Sequence, residues 1–234
     1  MRPVAILAGG MGTRLNELTA SLPKALVDVN GEPFIAHQLR LLQSHGVTHV
    51  VICAGHLGHM LEAYVGDGAK FNLGVEFSFD GPRLLGTAGA LRQARGKLGS
   101  SFFVLYGDSY LPIAYREVLT AFEASAAPGL MTVYRNDGQF DRSNVEFEDG
   151  RILDYDKTHT TRRMRHIDYG LGMLDSGALE LVPDSAAHDL ASLYRCLLDR
   201  HELAGFEVDQ RFYEVGSVAG LEETRQMIAR LACL

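Results

Sequence analysis

The 234-residue sequence contains little cysteine, and its cysteines are poorly placed for chemistry. Cys53, Cys196 and Cys233 are odd in number and widely spaced, and no Cys-x-x-Cys pair occurs. This pattern excludes a zinc knuckle and a dithiol redox motif of the usual spacing. Because Cys53 lies in the apolar run 50–54, we expect it to be a reduced residue of the core.

The sequence also lacks a long hydrophobic run and an excess of basic residues. No stretch approaches the roughly 20 apolar residues that cross a bilayer, and no signal peptide is recognisable after Met1. We therefore expect a cytoplasmic protein with no membrane partner. The 29 acidic and 22 basic residues give a formal net charge of −7. That charge argues against nucleic acid as a partner but allows a local basic pocket for a small phosphorylated ligand.

Apolar runs and amphipathic segments alternate through the first half of the chain, and the second half is richer in strand patterns. The predicted strands are 4–7, 47–54, 75–79, 102–106, 130–134, 144–147, 151–155 and 167–174. The predicted helices are 33–42, 56–65, 88–94, 187–200 and 218–231. This order indicates an α/β fold, a Rossmann-like and mostly parallel sheet with helices on both faces. We expect residues 1–234 to form one domain.

A glycine-rich run, Leu7-Ala8-Gly9-Gly10-Met11-Gly12-Thr13-Arg14, closes the first predicted strand. Glycines there let backbone N–H groups approach an anion closely. Arg14 and the later Lys24 would add fixed positive charge, and the combination suits a triphosphate. The spacing differs from both the GxxxxGK[ST] phosphate loop and the GxGxxG dinucleotide loop. A nucleotide-dependent oxidoreductase is therefore disfavoured.

Acidic residues follow the predicted strands, where an open α/β sheet binds its ligands. Asp80 comes directly after one of these strands, Asp108 comes two residues after another, and Glu214 precedes the last helix. Carboxylate oxygens are the ligands that Mg2+ prefers. Asp156-Lys157 ends a later strand and adds an acid and a cation.

These motifs together strongly resemble the signature of the sugar-phosphate nucleotidylyltransferases, also called sugar-nucleotide pyrophosphorylases. The resemblance runs from Val4 to about Ile228 and includes Pro23-Lys24 and the segment Leu85-Gly86-Thr87-Ala88-Gly89. It implies the nucleotide-diphospho-sugar transferase fold. It also implies transfer of a nucleoside monophosphate from an NTP to a sugar 1-phosphate, with Mg2+ as the metal and pyrophosphate as the leaving group.

The resemblance also implies roles for individual residues, some of which depart from the family pattern. Glu214 stands where the family commonly has aspartate, and Asp156 stands where many relatives have glutamate. The implied catalytic residues are Arg14, Lys24 and Asp108, and the implied metal ligands are Asp108 and Glu214. The implied nucleotide-binding residues are Leu7, Ala8, Gly9, Gly10, Gly12, Thr13, Asp80, Gly86 and Thr87. The implied sugar-phosphate-binding residues are Asp156, Lys157, Tyr169 and Gly170.

Several substrates and one other class of function remain open at this point. The compact chain is similar to the heptose 1-phosphate guanylyltransferases, which favours GTP with D-glycero-D-manno-heptose 1-phosphate or a related manno-sugar. The alternatives are a uridylyltransferase acting on N-acetylmuramate 1-phosphate and a non-catalytic sugar-nucleotide-binding regulator on the same fold. A molybdopterin nucleotidyltransferase shares the opening glycines but would not predict Pro23-Lys24 or Asp156-Lys157. The resemblance leaves room for a homo-oligomer.

Overall fold

The structure is a computed structural model that describes residues 1–10, 21–183 and 187–231. The strands, in chain order, are β1 Val4–Ala8, β2 Asp28–Val29, β3 Glu32–Pro33, β4 His49–Ala54, β5 Gly74–Phe79, β6 Ser101–Tyr106, β7 Ser109–Tyr110, β8 Gly129–Arg135, β9 Val145–Glu148, β10 Arg151–Tyr155, β11 His166–Asp175, β12 Leu203–Val208 and β13 Tyr213–Glu214. The helices are α1 Phe34–Ser44, α2 Gly58–Val65, α3 Gly86–Leu98, α4 Tyr115–Ser125, α5 Leu190–Asp199 and α6 Val218–Leu231.

Within the described residues, nine strands form one sheet, in which β10, β9, β11, β6, β1, β4 and β5 are successive neighbours. The four strands β5, β4, β1 and β6 are parallel, whereas β11 runs antiparallel to β6 with Leu171 opposite Leu105. The strand β8 pairs with β11 and, in parallel, with β12. The strands of the second half therefore extend the same sheet, as predicted. Because β11 is antiparallel, its first residues lie at the edge where β1 and β6 end.

Helices cover both faces of the sheet, which confirms the predicted α/β architecture. Successive side chains of a strand point to opposite faces. Accordingly Val4 and Ile6 pack in one apolar cluster with α1, α2 and α4, whereas Ala5 and Leu7 pack in another with α3 and α5. All four side chains are buried. Burial on both faces explains why β1 reads as a continuous apolar run instead of an alternating one.

Some elements were predicted closely and others were missed. The hairpin turn between β9 and β10 was predicted, and its residues Asp149 and Gly150 have φ of 50° and 77°, as a tight hairpin requires. Helix α4 was not predicted, although Tyr115, Val118 and Phe122 are buried at helical spacing. The ladder between β7 and β13 has two residues on each strand, which is too short to leave an alternation pattern. The single-domain assignment stays a prediction.

None of the helices in the described ranges is both long enough and apolar enough to cross a membrane.

Candidate active site

The carboxyl ends of β1, β5 and β6 border one cavity of about 290 Å3. This is the edge at which a sheet of this kind binds ligands. Gly9 and Gly10 follow β1, Asp80 follows β5, and Asp108 follows β6 by two residues. The wall of the cavity includes the predicted residues Leu7, Ala8, Gly9, Gly10, Lys24, Asp80, Gly86, Thr87 and Asp108. The structure thus brings these nine predicted residues together.

The predicted residues Gly12, Thr13 and Arg14 lie outside the described residues. Other described residues on the cavity wall were not predicted as site residues. They are Ala25, Cys53, Leu84, Ala90, Tyr106, Gly107 and Asp189. Cys53 is free and buried, as predicted, and burial raises the pKa of its thiol to about 12. A thiol with that pKa stays protonated near neutral pH and is unreactive.

Asp108 is held in a short loop between β6 and β7, beside a cation from another part of the chain. The Nζ atom of Lys24 lies 3.2 Å from Oδ2 of Asp108. Lys24 opens the single-turn helix Lys24–Leu26, which follows Pro23. The backbone of the loop is bonded to β1 and to the residue after β13: Gly107 N–H donates to the Leu7 carbonyl at 3.0 Å, and Val215 N–H donates to the Asp108 carbonyl at 2.9 Å.

A second carboxylate approaches Asp108 from β13. Glu214 lies opposite Ser109 in the two-residue ladder. A Cβ atom placed on Gly216 would lie 3.4 Å from Oε2 of Glu214 and 3.6 Å from Oδ2 of Asp108. The two carboxylates therefore face a common point that the absence of a side chain on Gly216 leaves open.

This pair of carboxylates fits a divalent cation that also takes ligands from a substrate. Mg2+ is usually bound by one or two carboxylates together with substrate phosphate oxygens and water. Within residues 1–10, 21–183 and 187–231, no cluster of three or more His, Cys, Asp or Glu side chains could hold a metal by itself. The donor set of Asp108 and Glu214 thus suits a metal that arrives with phosphate oxygens.

Asp80 places a partly desolvated carboxyl group on the opposite wall. Its Oδ2 atom accepts a hydrogen bond of 3.2 Å from the N–H of Leu85. The same oxygen lies 3.4 Å from the position that a Cβ on Gly9 would take. Burial raises the pKa of Asp80, against the opposing effect of the Leu85 bond. The Asp80 carboxylate therefore offers a hydrogen-bond acceptor to the cavity in a partly desolvated environment.

The start of α3 is packed against the segment that leads into α5. Ala88 N–H donates to the His188 carbonyl at 2.8 Å, and Leu190 N–H donates to the Thr87 hydroxyl at 2.7 Å. A helix N-terminus usually leaves backbone N–H groups free to bind an anion. Here the N–H group of Ala88 is already hydrogen-bonded to the His188 carbonyl. Thr87 and Gly86 remain on the cavity wall, and their binding of nucleotide stays a prediction.

Gly86 is required by this packing, which gives a testable prediction. Its φ is +73°, and an added Cβ would lie 2.6 Å from the His188 carbonyl oxygen. We expect Gly86→Ala to lower the free energy of unfolding by about 3 kcal/mol through backbone strain and overpacking. Gly96→Ala lies in the same helix, and no described residue comes within 4 Å of its added Cβ, so it should instead stabilise by up to about 1 kcal/mol. Urea unfolding of both variants measures this, and equal effects would contradict the assignment.

The predicted cation Lys157 lies in a network of polar side chains at the end of β10. Its Nζ atom is 3.2 Å from Oδ2 of Asp168 and 3.4 Å from the Tyr106 hydroxyl. The Tyr155 hydroxyl donates to the same Asp168 oxygen at 3.1 Å. The Asp168 side chain is 4% exposed and that of Lys157 is 41% exposed. Burial acts to lower the pKa of Lys157, but the Asp168 carboxylate and the Tyr106 hydroxyl outweigh it and raise the pKa.

The remaining sugar-side residues are placed less simply. Oδ1 of Asp156 accepts hydrogen bonds from the N–H groups of His159 and Thr158, at 2.8 and 2.7 Å. These bonds lower the pKa of Asp156. They also join its side chain to the backbone of the loop that follows it. The ring of Tyr169 is buried against Tyr134, with centroids 6.4 Å apart. Their contacts with a sugar stay predictions.

Asp168 is the functional candidate that reasoning from the sequence missed. It stands 11 residues after Lys157, across the loop from β10 to β11. The pairing of β11 with β6 brings its start to the edge of the cavity. The neighbouring Gly170 has φ of +95°, and its N–H donates to Oδ1 of Asp168 at 3.1 Å. An acidic residue directly before the predicted Tyr169-Gly170 was the signal available.

The sequence is also similar to proteins of described activity. A mannose-1-phosphate guanyltransferase of Hypocrea jecorina is 37% identical over 132 residues, which cover 55% of this chain and 36% of that protein. A mannose-1-phosphate guanyltransferase beta-B of Xenopus laevis is 28% identical over 217 residues, which cover 90% of this chain and 60% of that protein. The chain therefore spans between about a third and three fifths of the length of these relatives.

Solved structures with the same fold are more distant in sequence. A Bacillus anthracis protein described as a glucose-1-phosphate thymidylyltransferase, in complex with sucrose, has a TM-score of 0.85 at 21% identity, covering 96% of this chain and 94% of its own. HddC from Yersinia pseudotuberculosis, complexed with GMP-PN, has a TM-score of 0.81 at 22% identity, covering 97% and 100%. The family model described as nucleotidyl transferase matches residues 4–143, which is more than half of the chain. The chain therefore belongs to the nucleotidyl transferase family.

Proposed function

We propose that this protein transfers a nucleoside monophosphate from an NTP to a sugar 1-phosphate and releases pyrophosphate. The observation that carries the proposal is the Lys24–Asp108 pair, 3.2 Å apart, on the wall of the cavity beside the glycine-rich strand end. Tyr106 lines the same cavity, and its hydroxyl lies 3.4 Å from Lys157. A nucleotide in the cavity and a phosphate on Lys157 would thus share one wall.

The reaction needs positioning and charge stabilisation more than covalent chemistry. An oxygen of the sugar 1-phosphate forms a bond to the α-phosphorus. The bond between the α-phosphorus and the oxygen that bridges it to the β-phosphorus breaks. The pyrophosphate leaves with that electron pair. Because the attacking phosphate is already an anion, no side chain has to remove a proton. Lys24 would stabilise charge on the transferred phosphate, and Lys157 would orient the attacking one. Asp108 and Glu214 would hold Mg2+, which supplies further charge stabilisation when bound.

GTP is the nucleotide that the site and the relatives favour. The two mannose-1-phosphate relatives are guanyltransferases, and HddC was solved with GMP-PN. Asp80 offers a carboxylate on the cavity wall, and guanine presents two adjacent N–H donors that a carboxylate can accept together. The acceptor we propose is D-glycero-D-manno-heptose 1-phosphate or a related manno-sugar 1-phosphate.

We predict that Asp80→Asn weakens discrimination for guanine. An amide offers one acceptor where the carboxylate offers two, so one guanine N–H would lose its partner. A charge-assisted hydrogen bond contributes about 1.5–3 kcal/mol, so kcat/KM for GTP should fall about tenfold to a hundredfold. The value for UTP should change by less than threefold. Steady-state kinetics with both nucleotides test this, and an equal loss for the two would remove Asp80 from base recognition.

The proposed function is tested by pyrophosphate release with Mg2+. Each of GTP, UTP, dTTP, CTP and ATP is combined with heptose, mannose, glucose and N-acetylmuramate 1-phosphates. We expect release with GTP and a manno-configured sugar phosphate. Release with UTP and N-acetylmuramate 1-phosphate would instead support the uridylyltransferase. Nucleotide binding without release across the panel would refute the proposal and favour a regulator.

A further inference from the structure

A fully buried glutamine lies behind the loop that carries Asp108. Gln38 is on α1, and its side chain has no exposed surface. Its Nε2 group donates to the carbonyl of Tyr106 at 2.8 Å and to the carbonyl of Ser109 at 2.7 Å. Tyr106 is the last residue of β6 and Ser109 is the first of β7. One side-chain amide therefore spans both ends of the Gly107-Asp108 turn.

The orientation of the amide follows from its partners. Both partners are carbonyl oxygens, which only accept hydrogen bonds, so the NH2 group must face the loop. Its Oε1 atom is then buried with no hydrogen-bond partner among the described residues. An unpaired buried acceptor destabilises a protein. A methionine of similar length would fill this space without burying an unpaired acceptor. What the amide provides and methionine cannot is therefore the two hydrogen bonds that it donates to the loop.

We propose that Gln38 is a positioning residue that fixes the 106–109 loop and aims the carboxylate of Asp108 into the cavity. The inference rests on the proposed function, which gives Asp108 its role. The backbone bonds to Leu7 and Val215 hold the turn at Gly107 and Asp108, and Gln38 holds the residues on either side. Because α1 packs on the sheet, the side chain of Gln38 can reach from the helix to the loop that carries Asp108.

The function of such a residue is to restrict where the carboxylate can go. A metal ligand is effective when neighbours keep it within about half an ångström of its working position. Removal of a group that orients a ligand typically costs tenfold to a hundredfold in metal affinity or activity. The effect should therefore appear in metal dependence and in local loop dynamics, and not in the affinity for the sugar phosphate.

The test compares Gln38→Met with Leu39→Met, its neighbour on α1, which is also fully buried. Both variants place methionine in the same helix, but only the first removes hydrogen bonds to the loop. Hydrogen exchange detected by mass spectrometry should be about tenfold faster at residues 106–110 in Gln38→Met than in Leu39→Met. The half-saturating Mg2+ concentration for pyrophosphate release should rise about tenfold, with the KM for sugar phosphate unchanged.

The two readouts separate this inference from the proposed function. If the wild-type protein transfers no nucleotide, the proposed function fails, but the exchange comparison still decides whether Gln38 fixes the loop. Equal exchange at residues 106–110 in the two variants would overturn the inference. If Gln38→Met does not fold, NMR exchange of the Gln38 side-chain amide protons in the wild type decides. Both protons should be protected, and exchange at the rate of a free amide would overturn the inference.

Discussion

Asp108→Asn is expected to lower kcat for pyrophosphate release by about a thousandfold. An amide keeps the shape of the carboxylate but loses its charge, so it binds a divalent cation weakly and no longer balances Lys24. Electrostatic groups aimed at the reacting centre are commonly worth a hundredfold to a thousandfold each. Asp108 would contribute in two ways: it balances the charge of Lys24, which it contacts, and it would bind the metal, since it faces the same point as Glu214.

The loss should not come from unfolding. The Lys24 and Asp108 side chains are 21% and 31% exposed, and a pair this accessible to solvent contributes no more than about 1 kcal/mol. For a chain of this length that corresponds to a shift in Tm of only a few degrees, about 2–4 °C. Asp149→Asn is the matched control, because Asp149 is exposed in the β9–β10 turn with a positive φ that asparagine also adopts. A thousandfold loss at Asp149, or none at Asp108, would contradict the assigned site.

The cavity could be predicted from the sequence because it depends on strand ends. Gly9 and Asp108 each follow a continuous apolar run, and parallel strands bring their carboxyl ends to one edge. The family resemblance then supplied Lys24, whose position the strand pattern does not give. The structure adds the 3.2 Å contact between Lys24 and Asp108.

Other parts of the site depend on tertiary register and could not be predicted. Asp168 meets Lys157 only because β11 runs antiparallel to β6 in one particular register. Gln38 left a weak signal, as a polar residue four positions after Phe34 on the buried face of α1. Nothing in that pattern says which carbonyl groups it reaches, since its partners are about 70 residues away.

Lys157→Met should raise the KM for the sugar 1-phosphate between tenfold and a hundredfold, with little change in the KM for the nucleotide. The side chain of Lys157 is 41% exposed, so its charge can reach a ligand while it contacts Asp168. A charge-assisted contact to phosphate contributes about 1.5–3 kcal/mol, which corresponds to that range of KM. Initial rates with each substrate varied in turn measure both constants.

A double variant separates binding from stability. Lys157→Met leaves the Asp168 carboxylate, which is 4% exposed, with hydrogen bonds from Tyr155 and Gly170 but without its cation. Loss of one partner of a buried pair costs about 3–5 kcal/mol. Because Lys157 is partly solvated, we expect a smaller loss here, about 1–3 kcal/mol in the free energy of unfolding.

The combined variant Lys157→Met/Asp168→Asn removes the uncompensated charge and should regain most of that stability, while its KM for the sugar phosphate stays high. Urea unfolding and kinetics on the wild type, both single variants and the double variant complete the thermodynamic cycle. Recovery of the KM together with stability would mean that Lys157 acts only through the fold. A double variant no more stable than Lys157→Met would mean that the Asp168 charge is compensated without Lys157. High KM with restored stability is the outcome that assigns Lys157 to the phosphate, because no structural repair can supply the missing cation.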